Sequence, residues 1–278
     1  MSLTYQDNDT SPIAQVDDKL VYLDSNPATH DKTDIMNKIW DTDTINVIAE
    51  ALNEMSLGQL IKVLSSTEEK KGGMKVIEGE DVQVIPSPEC ERLIIGGTSG
   101  SGKSWFAANY AKMWQKLFPD KKIYLFARQE DDRAFDDIEL EEIIASPDLL
   151  EEALDIHTFE DSLVIFDDMD NLQDKKVLDY IHGLINDLMA CGRKKNVYVM
   201  YITHKFKNHQ KTKIALNESN KLVFFNGTGD KNNIDVLKDY ANMLPLEIKM
   251  LTTLPARWCC VERNRPRYVV HENGVILL

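Results

Sequence analysis

The chain has 278 residues, of which 43 % are apolar and 28 % carry a charge, so its composition is that of a globular protein with an apolar core. No apolar run reaches the ~18 residues that a membrane-crossing helix needs, and residues 1–15 lack the basic start and apolar stretch of a secretory signal. These features argue against a membrane-spanning or secreted protein, and we expect one that works inside a cell.

The net charge of −14 is distributed unevenly along the chain. Residues 1–90 hold 17 acidic and 7 basic side chains, a net charge of −10, and residues 91–190 hold 22 and 10, a net charge of −12. Residues 191–278 hold 7 acidic and 15 basic side chains, a net charge of +8. This asymmetry indicates that the C-terminal third can face a polyanion while the rest of the chain repels it.

Residues 1–80 are predicted to form an acidic N-terminal extension with short helices, ahead of a larger domain at 81–278. The first 40 residues are polar and acidic, and we expect much of this stretch to be loosely ordered. Apolar residues at roughly helical spacing in 43–65 predict one or two amphipathic helices. The paired glycines and clustered charges of 68–75 are typical of a linker.

From residue 91 onwards, apolar strands alternate with helices. This pattern predicts an α/β fold with a mainly parallel sheet that is covered by helices on both faces. The end of the chain, 257–278, predicts short strands joined by turns, a C-terminal β hairpin. The predicted strands lie at 92–96, 122–127, 162–166, 196–202 and 221–225, and the predicted helices lie at 104–117 and 175–191.

A glycine-rich segment with the pattern Gly-x-x-x-x-Gly-Lys-Ser lies between the first of these strands and the first helix. That context predicts a loop whose backbone N–H groups and following helix N-terminus bind nucleotide phosphates. Lys103 can reach the β- and γ-phosphates, and the hydroxyl of Ser104 can bind Mg²⁺. The predicted phosphate-binding residues are Gly97, Thr98, Ser99, Gly100, Ser101, Gly102, Lys103 and Ser104.

Two carboxylates follow the strand predicted at 162–166. Asp167, at the strand tip, is predicted to hold Mg²⁺, usually through water. Asp168 is predicted to polarise the attacking water as a general base, which favours hydrolysis over transfer to a small molecule. The alternative for Asp168 is an N-cap of the next helix, although Asp170 or Asn171 could also fill that position.

The order of the motifs is informative as well. A whole strand, 122–127, lies between the phosphate-loop helix and the strand that carries Asp167, which is typical of P-loop NTPases with an additional strand. A later strand ends next to His204, which we predict to sense the γ-phosphate or the attacking water. The alternative is a purely structural histidine.

From about residue 91 to its end, the chain resembles the DNA-packaging ATPases of large eukaryotic DNA viruses, the poxvirus-type motors of the FtsK–HerA superfamily. The segments that carry this resemblance are, in order, IIGGTSGSGKSWF, LFARQEDDRAFDDI, LVIFDDMD, ACGRKKNVYVMYITHKFK, IALNESNKLVFFNG and ARWCCVERNRPRYVV. Two positions depart from the family pattern. The family usually has Gln at the place of His204, and Asp168 is one methylene shorter than the usual Glu.

The resemblance implies a hexameric ring that uses ATP and Mg²⁺ to translocate double-stranded DNA into a capsid. Capsid, portal or membrane proteins would be further partners, no covalent cofactor is implied, and the protein would work in the host-cell cytoplasm or the virion. Such motors complete each site with an arginine from the neighbouring subunit. Arg193 is the first candidate, and the alternative is a surface charge at a helix C-terminus. Arg128, Arg133 and Arg257 are further candidates.

The segment 205–213, KFKNHQKTK, carries four lysines and no acid directly after the predicted sensor. In FtsK-like rings the corresponding loop points into the pore, so these lysines are predicted to contact DNA phosphates without reading sequence. The alternative is an ordinary solvated loop. The predicted DNA-binding residues are Lys205, Lys207, Lys211 and Lys213. Trp105, beside Ser104, could touch a nucleotide base, but we expect it to pack in the core.

Two other functions stay open at this point. One is a P-loop kinase that acts on a nucleoside or nucleotide, against which the paired aspartates, the inserted strand and the basic segment argue. The other is a nucleotide-binding adaptor without motor activity, against which the intact set of Lys103, Ser104, Asp167 and Asp168 argues.

Overall fold

A computed structural model of the chain describes residues 2–5, 10–24, 76–128, 133–152, 154–206, 212–225 and 231–278. The helices predicted at 43–65 and the linker predicted at 68–75 lie outside these residues. Within the described ranges, no helix has both the length and the apolar character that crossing a membrane requires.

The strands, in chain order, are β1 Ser2–Thr4, β2 Ala14–Val16, β3 Lys19–Asp24, β4 Val76–Glu78, β5 Val82–Val84, β6 Arg92–Gly96, β7 Ile123–Ala127, β8 Glu141–Ile144, β9 Leu163–Phe166, β10 Tyr198–Thr203, β11 Lys221–Phe225, β12 Trp258–Glu262, β13 Tyr268–His271 and β14 Gly274–Leu277. The α-helices are α1 Lys103–Leu117, α2 Lys175–Cys191, α3 Lys213–Glu218, α4 Lys231–Asp239 and α5 Pro245–Thr253.

The larger sheet has the strand order β4-β14-β13-β12-β11-β6-β10-β9-β7-β8 among the described residues. The six strands from β11 to β8 pair in parallel, so the predicted parallel sheet is confirmed. Strand β10 lies between β6 and β9, with Ile94 opposite Tyr201 and Tyr201 opposite Phe166. The strand of the phosphate loop and the strand of Asp167 are therefore not neighbours, as the additional-strand type requires.

Helices cover both faces of this sheet, and successive residues of each strand contribute to the two apolar layers in turn. In β10, Met200 and Ile202 lie in one apolar layer with Trp114 of α1. Val199 and Tyr201 lie in a second layer, which contains the buried residues of α2, α4 and α5. The residues of β6, β9, β10 and β11 are almost all buried, which explains their continuous apolar sequences.

The C-terminal strands extend the sheet in antiparallel fashion. β12 pairs with β11, β13 with β12 and β14 with β13, so the predicted C-terminal hairpin is confirmed. Strand β4 then pairs with β14 at the edge of the sheet.

The N-terminal region differs in part from the expected loose order. Strands β1, β3, β2 and β5 form a small antiparallel sheet, and its Val16, Val21 and Val84 join the apolar layer of α1. Three of these four strands have only three residues, which is too short an alternation to be recognised in a sequence. In addition, β2 pairs with β5, which comes more than 60 residues later. The domain boundary at residue 80 stays a prediction.

Candidate nucleotide-binding site

The phosphate loop connects the end of β6 to the start of α1. Gly100 and Gly102 have backbone φ angles of 73° and 104°, which residues with a Cβ atom rarely adopt. These two turns bring the loop round to the first turn of α1, which begins at Lys103. The unpaired N–H groups and the positive end of the helix dipole at this point favour a bound anion.

Lys103 lies in the centre of the site and is only 8 % exposed. Its Nζ donates a hydrogen bond to the carbonyl oxygen of Thr98 at 2.9 Å. Burial lowers the pKa of Lys103, and the negative charges of Asp167 and Asp168 act in the opposite direction. A poorly hydrated ammonium group of this kind gains more from an anionic phosphate than a solvated one would.

Ser104 and Asp167 are in contact, as the predicted metal site requires. The Ser104 hydroxyl donates to Oδ2 of Asp167 at 2.7 Å, and the backbone N–H of Asp167 donates to the carbonyl of Phe126 at 3.0 Å. Asp167 is held at the end of β9 and is 7 % exposed. Hydroxyl and carboxylate oxygens are ligands that Mg²⁺ accepts together with phosphate oxygens, so these residues fit the ion.

Asp168 and His204 form the second contact of the site. Oδ1 of Asp168 lies 2.6 Å from Nε2 of His204, and the same oxygen accepts a hydrogen bond from Nδ2 of Asn171 at 2.8 Å. The side chains of Asp168 and His204 are 42 % and 31 % exposed, so both are accessible from solvent. The residue predicted as the general base and the residue predicted as the sensor thus touch each other.

The alternative role of Asp168 as the cap of α2 does not fit this geometry. The side chain of Asp174 caps that helix, accepting from the backbone N–H groups of Lys176 and Val177. Asp168 itself precedes a short 3₁₀ turn, Met169–Asn171, and makes no side-chain cap bond. Its carboxylate is therefore directed to His204 and Asn171.

A single cavity of 560 Å³ joins these groups. Gly100, Lys103, Asp167, Asp168 and His204 all line it, and its volume suits a small organic ligand. The carboxyl ends of β7, β9 and β10 and the start of α1 thus form one site at one edge of the sheet.

Sequence reasoning missed a buried polar network behind this site, centred on Asp170. The hydroxyl of Tyr201 donates to Oδ1 of Asp170 at 2.6 Å, and the hydroxyl of Thr203 donates to Oδ2 at 2.5 Å. Burial raises the pKa of Tyr201 well above its usual range, and the adjacent Asp170 adds to the rise. The network fixes the end of β10, and with it His204, to the turn after β9. The third acid of the DDMD segment is the signal that could have identified it.

The predicted DNA-binding lysines are only partly described. Lys205 is exposed and follows His204 directly, whereas Lys213 is exposed at the start of α3. Lys207 and Lys211 lie outside the described residues. The ends of this segment are anchored, since Phe206 and Thr212 are both 1 % exposed and the Thr212 hydroxyl donates to the Phe206 carbonyl at 2.6 Å.

The candidate arginines lie in different places. Arg193 is exposed in the 3₁₀ turn Gly192–Lys195 before β10, whereas the phosphate loop lies at the far end of that strand. The six residues of β10 separate Arg193 from its own site by about 20 Å. Arg128 is exposed and lines the cavity of its own chain. Arg257 is paired with Glu272 at 2.9 Å, and the side chain of Arg133 lies outside the described residues.

Trp105 does not pack in the core, and that expectation was wrong. Its side chain is 57 % exposed and lines the cavity, whereas Phe106, Tyr110 and Trp114 of the same helix are buried. The buried face of α1 is set by these three residues, and residue 105 falls outside it because each step along a helix turns by about 100°.

Comparisons with known proteins extend these observations. No protein-family model matches the sequence. Uncharacterized protein V3 of the Sputnik virophage is 29 % identical over 228 residues, which cover 78 % of this chain and 89 % of that protein.

Two solved structures are similar as well. The genome packaging NTPase B204 from Sulfolobus turreted icosahedral virus 2, in complex with AMPPCP, matches with a TM-score of 0.44 and 11 % identity over 68 % of this chain and 98 % of that one. The pCW3 conjugation coupling protein TcpA, with ATPγS, matches with a TM-score of 0.48 and 14 % identity over 74 % and 66 %. The chain is thus similar to a viral genome-packaging NTPase.

Proposed function

We propose that this chain is an ATPase motor that translocates double-stranded DNA into a viral capsid as a homo-oligomeric ring. The proposal that the chain hydrolyses ATP rests on one observation. A single cavity is lined by Lys103, Ser104, Asp167, Asp168 and His204, among which Ser104 contacts Asp167 and Asp168 contacts His204. Each of these residues corresponds to one requirement of phosphoryl transfer to water.

The roles divide between holding the nucleotide and activating water. The phosphate loop and Lys103 bind the phosphates through N–H groups and a desolvated positive charge. Ser104 and Asp167 would hold Mg²⁺, which when bound supplies positive charge to the β- and γ-phosphate oxygens. Asp168 accepts the proton of the attacking water, and His204 and Asn171 orient its carboxylate for that step.

The motor part of the proposal rests on the lysine-rich segment directly after the sensor. Lys205 is exposed next to His204, and in the sequence Lys207 and Lys211 follow it, between Phe206 and Thr212, which are hydrogen-bonded to each other. A change in the contacts of His204 on hydrolysis would reach these lysines through the backbone that joins them. The sequence resemblance to packaging motors and the net charge of +8 in residues 191–278 support DNA as the partner. Within this proposal the protein works in the host-cell cytoplasm or the virion.

The test of the hydrolytic site separates binding from turnover. Lys103→Ala is expected to lose nucleotide binding, whereas Asp168→Asn keeps the shape of the side chain and is expected to bind ATP normally. Turnover of Asp168→Asn should fall about 10²–10⁴-fold, the usual contribution of a general base. Equal turnover in wild type and Asp168→Asn, or phosphate transfer from ATP to a nucleoside in place of water, would contradict the assignment.

A further inference from the structure

The side chain of Trp105 is an unexplained feature of the candidate site. It is 57 % exposed at the third residue of α1, next to Ser104, and it lines the same cavity as Gly100, Gly102 and Lys103. Within the described part of the chain, no other exposed large apolar side chain lines that cavity. An indole exposed in this way offers a flat apolar face on which a flat ring system can stack.

The position of Trp105 relative to the phosphate loop indicates what that ligand is. The loop and the first turn of α1 bind the phosphates, and the base of a nucleotide is tethered to the α-phosphate through its ribose. A base tethered in this way lies within reach of the start of α1, where the indole of Trp105 is exposed to the cavity. We propose that the indole of Trp105 is the platform on which the base of the bound nucleotide stacks. This inference rests on the nucleotide site of the proposed function and adds a binding residue to it.

A protein partner fits Trp105 less well than a base does. Protein docking surfaces are contiguous apolar patches, whereas the other exposed large apolar side chain of α1, Leu117, lies about 18 Å further along the helix. Stacking on an aromatic ring tolerates any base, since every base has a π-face. Trp105 thus distinguishes a nucleotide from a bare polyphosphate, and it does not select adenine.

The experiment compares ATP with inorganic tripolyphosphate, which has the phosphates but no base. The dissociation constants of both ligands are measured by calorimetry for wild type, Trp105→Ala and Trp105→Phe. Base stacking on an aromatic side chain contributes enough that its loss weakens binding about 10–100-fold. Trp105→Ala is expected to lose that factor for ATP and nothing for tripolyphosphate, whereas Trp105→Phe keeps most of the affinity for ATP. Leu117→Ala, exposed on the same helix, is the matched control and should change neither.

The outcomes separate this inference from the proposed function. Unchanged ATP affinity in Trp105→Ala would overturn the stacking role, and so would an equal loss for ATP and tripolyphosphate, because the residue would then act on the loop. Either result leaves the phosphate site intact if Lys103→Ala still loses both ligands. A wild-type protein that binds neither ligand would overturn the nucleotide site itself, and the stacking role with it.

Discussion

In the proposed mechanism, the chemistry depends on how the Asp168 carboxylate is held. Its Oδ1 contacts both His204 and Asn171, so its orientation is fixed by partners from the end of β10 and from its own turn. A general base must point at the water it activates, and a displacement of about 1 Å can cost on the order of 10²-fold in rate. In this mechanism His204 is a positioning residue, and its side chain also lines the cavity.

The first prediction concerns this contact. His204→Gln retains a side-chain hydrogen bond of similar reach and should keep most of the ATP turnover. His204→Ala leaves Asp168 with Asn171 alone and should lower turnover about 10²-fold, with the affinity for ATP unchanged. Steady-state kinetics with a parallel binding measurement checks both variants. A loss of the same size in His204→Gln would show that the imidazole itself, and not its hydrogen bond, is required.

Among the structural elements, the residues that follow β10 are packed against the strand that precedes the phosphate loop. A Cβ atom on Gly96, at the end of β6, would lie 2.2 Å from the ring of Phe206. That ring is 1 % exposed and lies 4.6 Å, centroid to centroid, from Phe224 of β11. Phe206 thus packs between β6 and β11, and this contact links His204, two residues earlier, to the start of the phosphate loop.

The second prediction tests the close packing of Phe206 against Gly96. Gly96→Ala forces the Phe206 ring out of its place and should lower the free energy of unfolding by about 1–3 kcal/mol, the usual cost of overpacking. ATP turnover should fall as well, since His204 moves with the ring. Adding Phe206→Leu, which makes room for the new methyl group, should recover part of both losses. Urea unfolding and turnover are measured on each variant.

A matched control for this prediction is Gly183→Ala in α2, where a Cβ atom would meet nothing within 4 Å. This change should leave turnover unaltered and be neutral or stabilising by up to about 1 kcal/mol. Equal free energies of unfolding of Gly96→Ala and Gly183→Ala would show that the close approach of Phe206 to β6 does not contribute to stability.

Some of these elements could be predicted from the sequence and others could not. Fully buried strands such as β9 and β10 have apolar sequences that are easily recognised, so the parallel sheet and the edge that holds the site were predicted. Strand β8, Glu141–Ile144, was not, because it is an edge strand with two glutamates and exposed residues. The contacts of Asp170 with Tyr201 and Thr203 span more than 30 residues, and nothing local in the sequence specifies them. The exposure of Trp105 depends on which face of α1 packs against the sheet, and the structure shows that this face carries Phe106, Tyr110 and Trp114.

For the whole molecule, the position of Arg193 bears on whether several copies of the chain form one complex. It lies about 20 Å from the phosphate loop of its own chain, at the opposite edge of the sheet. An arginine so placed can act on a nucleotide only in another copy of the chain. Arg128, by contrast, lines the cavity of its own chain and could act there directly.

The third prediction uses this difference. Arg193→Ala and Asp168→Asn should each bind ATP but hydrolyse it slowly. Mixed together, they should recover activity, because some interfaces then combine an intact Asp168 from one subunit with an intact Arg193 from its neighbour. Arg128→Ala mixed with Asp168→Asn is the matched control, since an arginine that acts within its own chain gives no such recovery. Absence of recovery in the Arg193 mixture would contradict a role for Arg193 in the site of a neighbouring subunit.

The most direct test of the motor function is the rate of ATP hydrolysis with and without double-stranded DNA, measured together with the oligomeric state. We predict that DNA raises the rate at low salt, that raising the salt from about 50 to 200 mM removes much of this effect, and that ATP promotes a ring larger than a dimer. A rate that DNA leaves unchanged at low salt, from a protein that stays monomeric with ATP, would contradict the motor function.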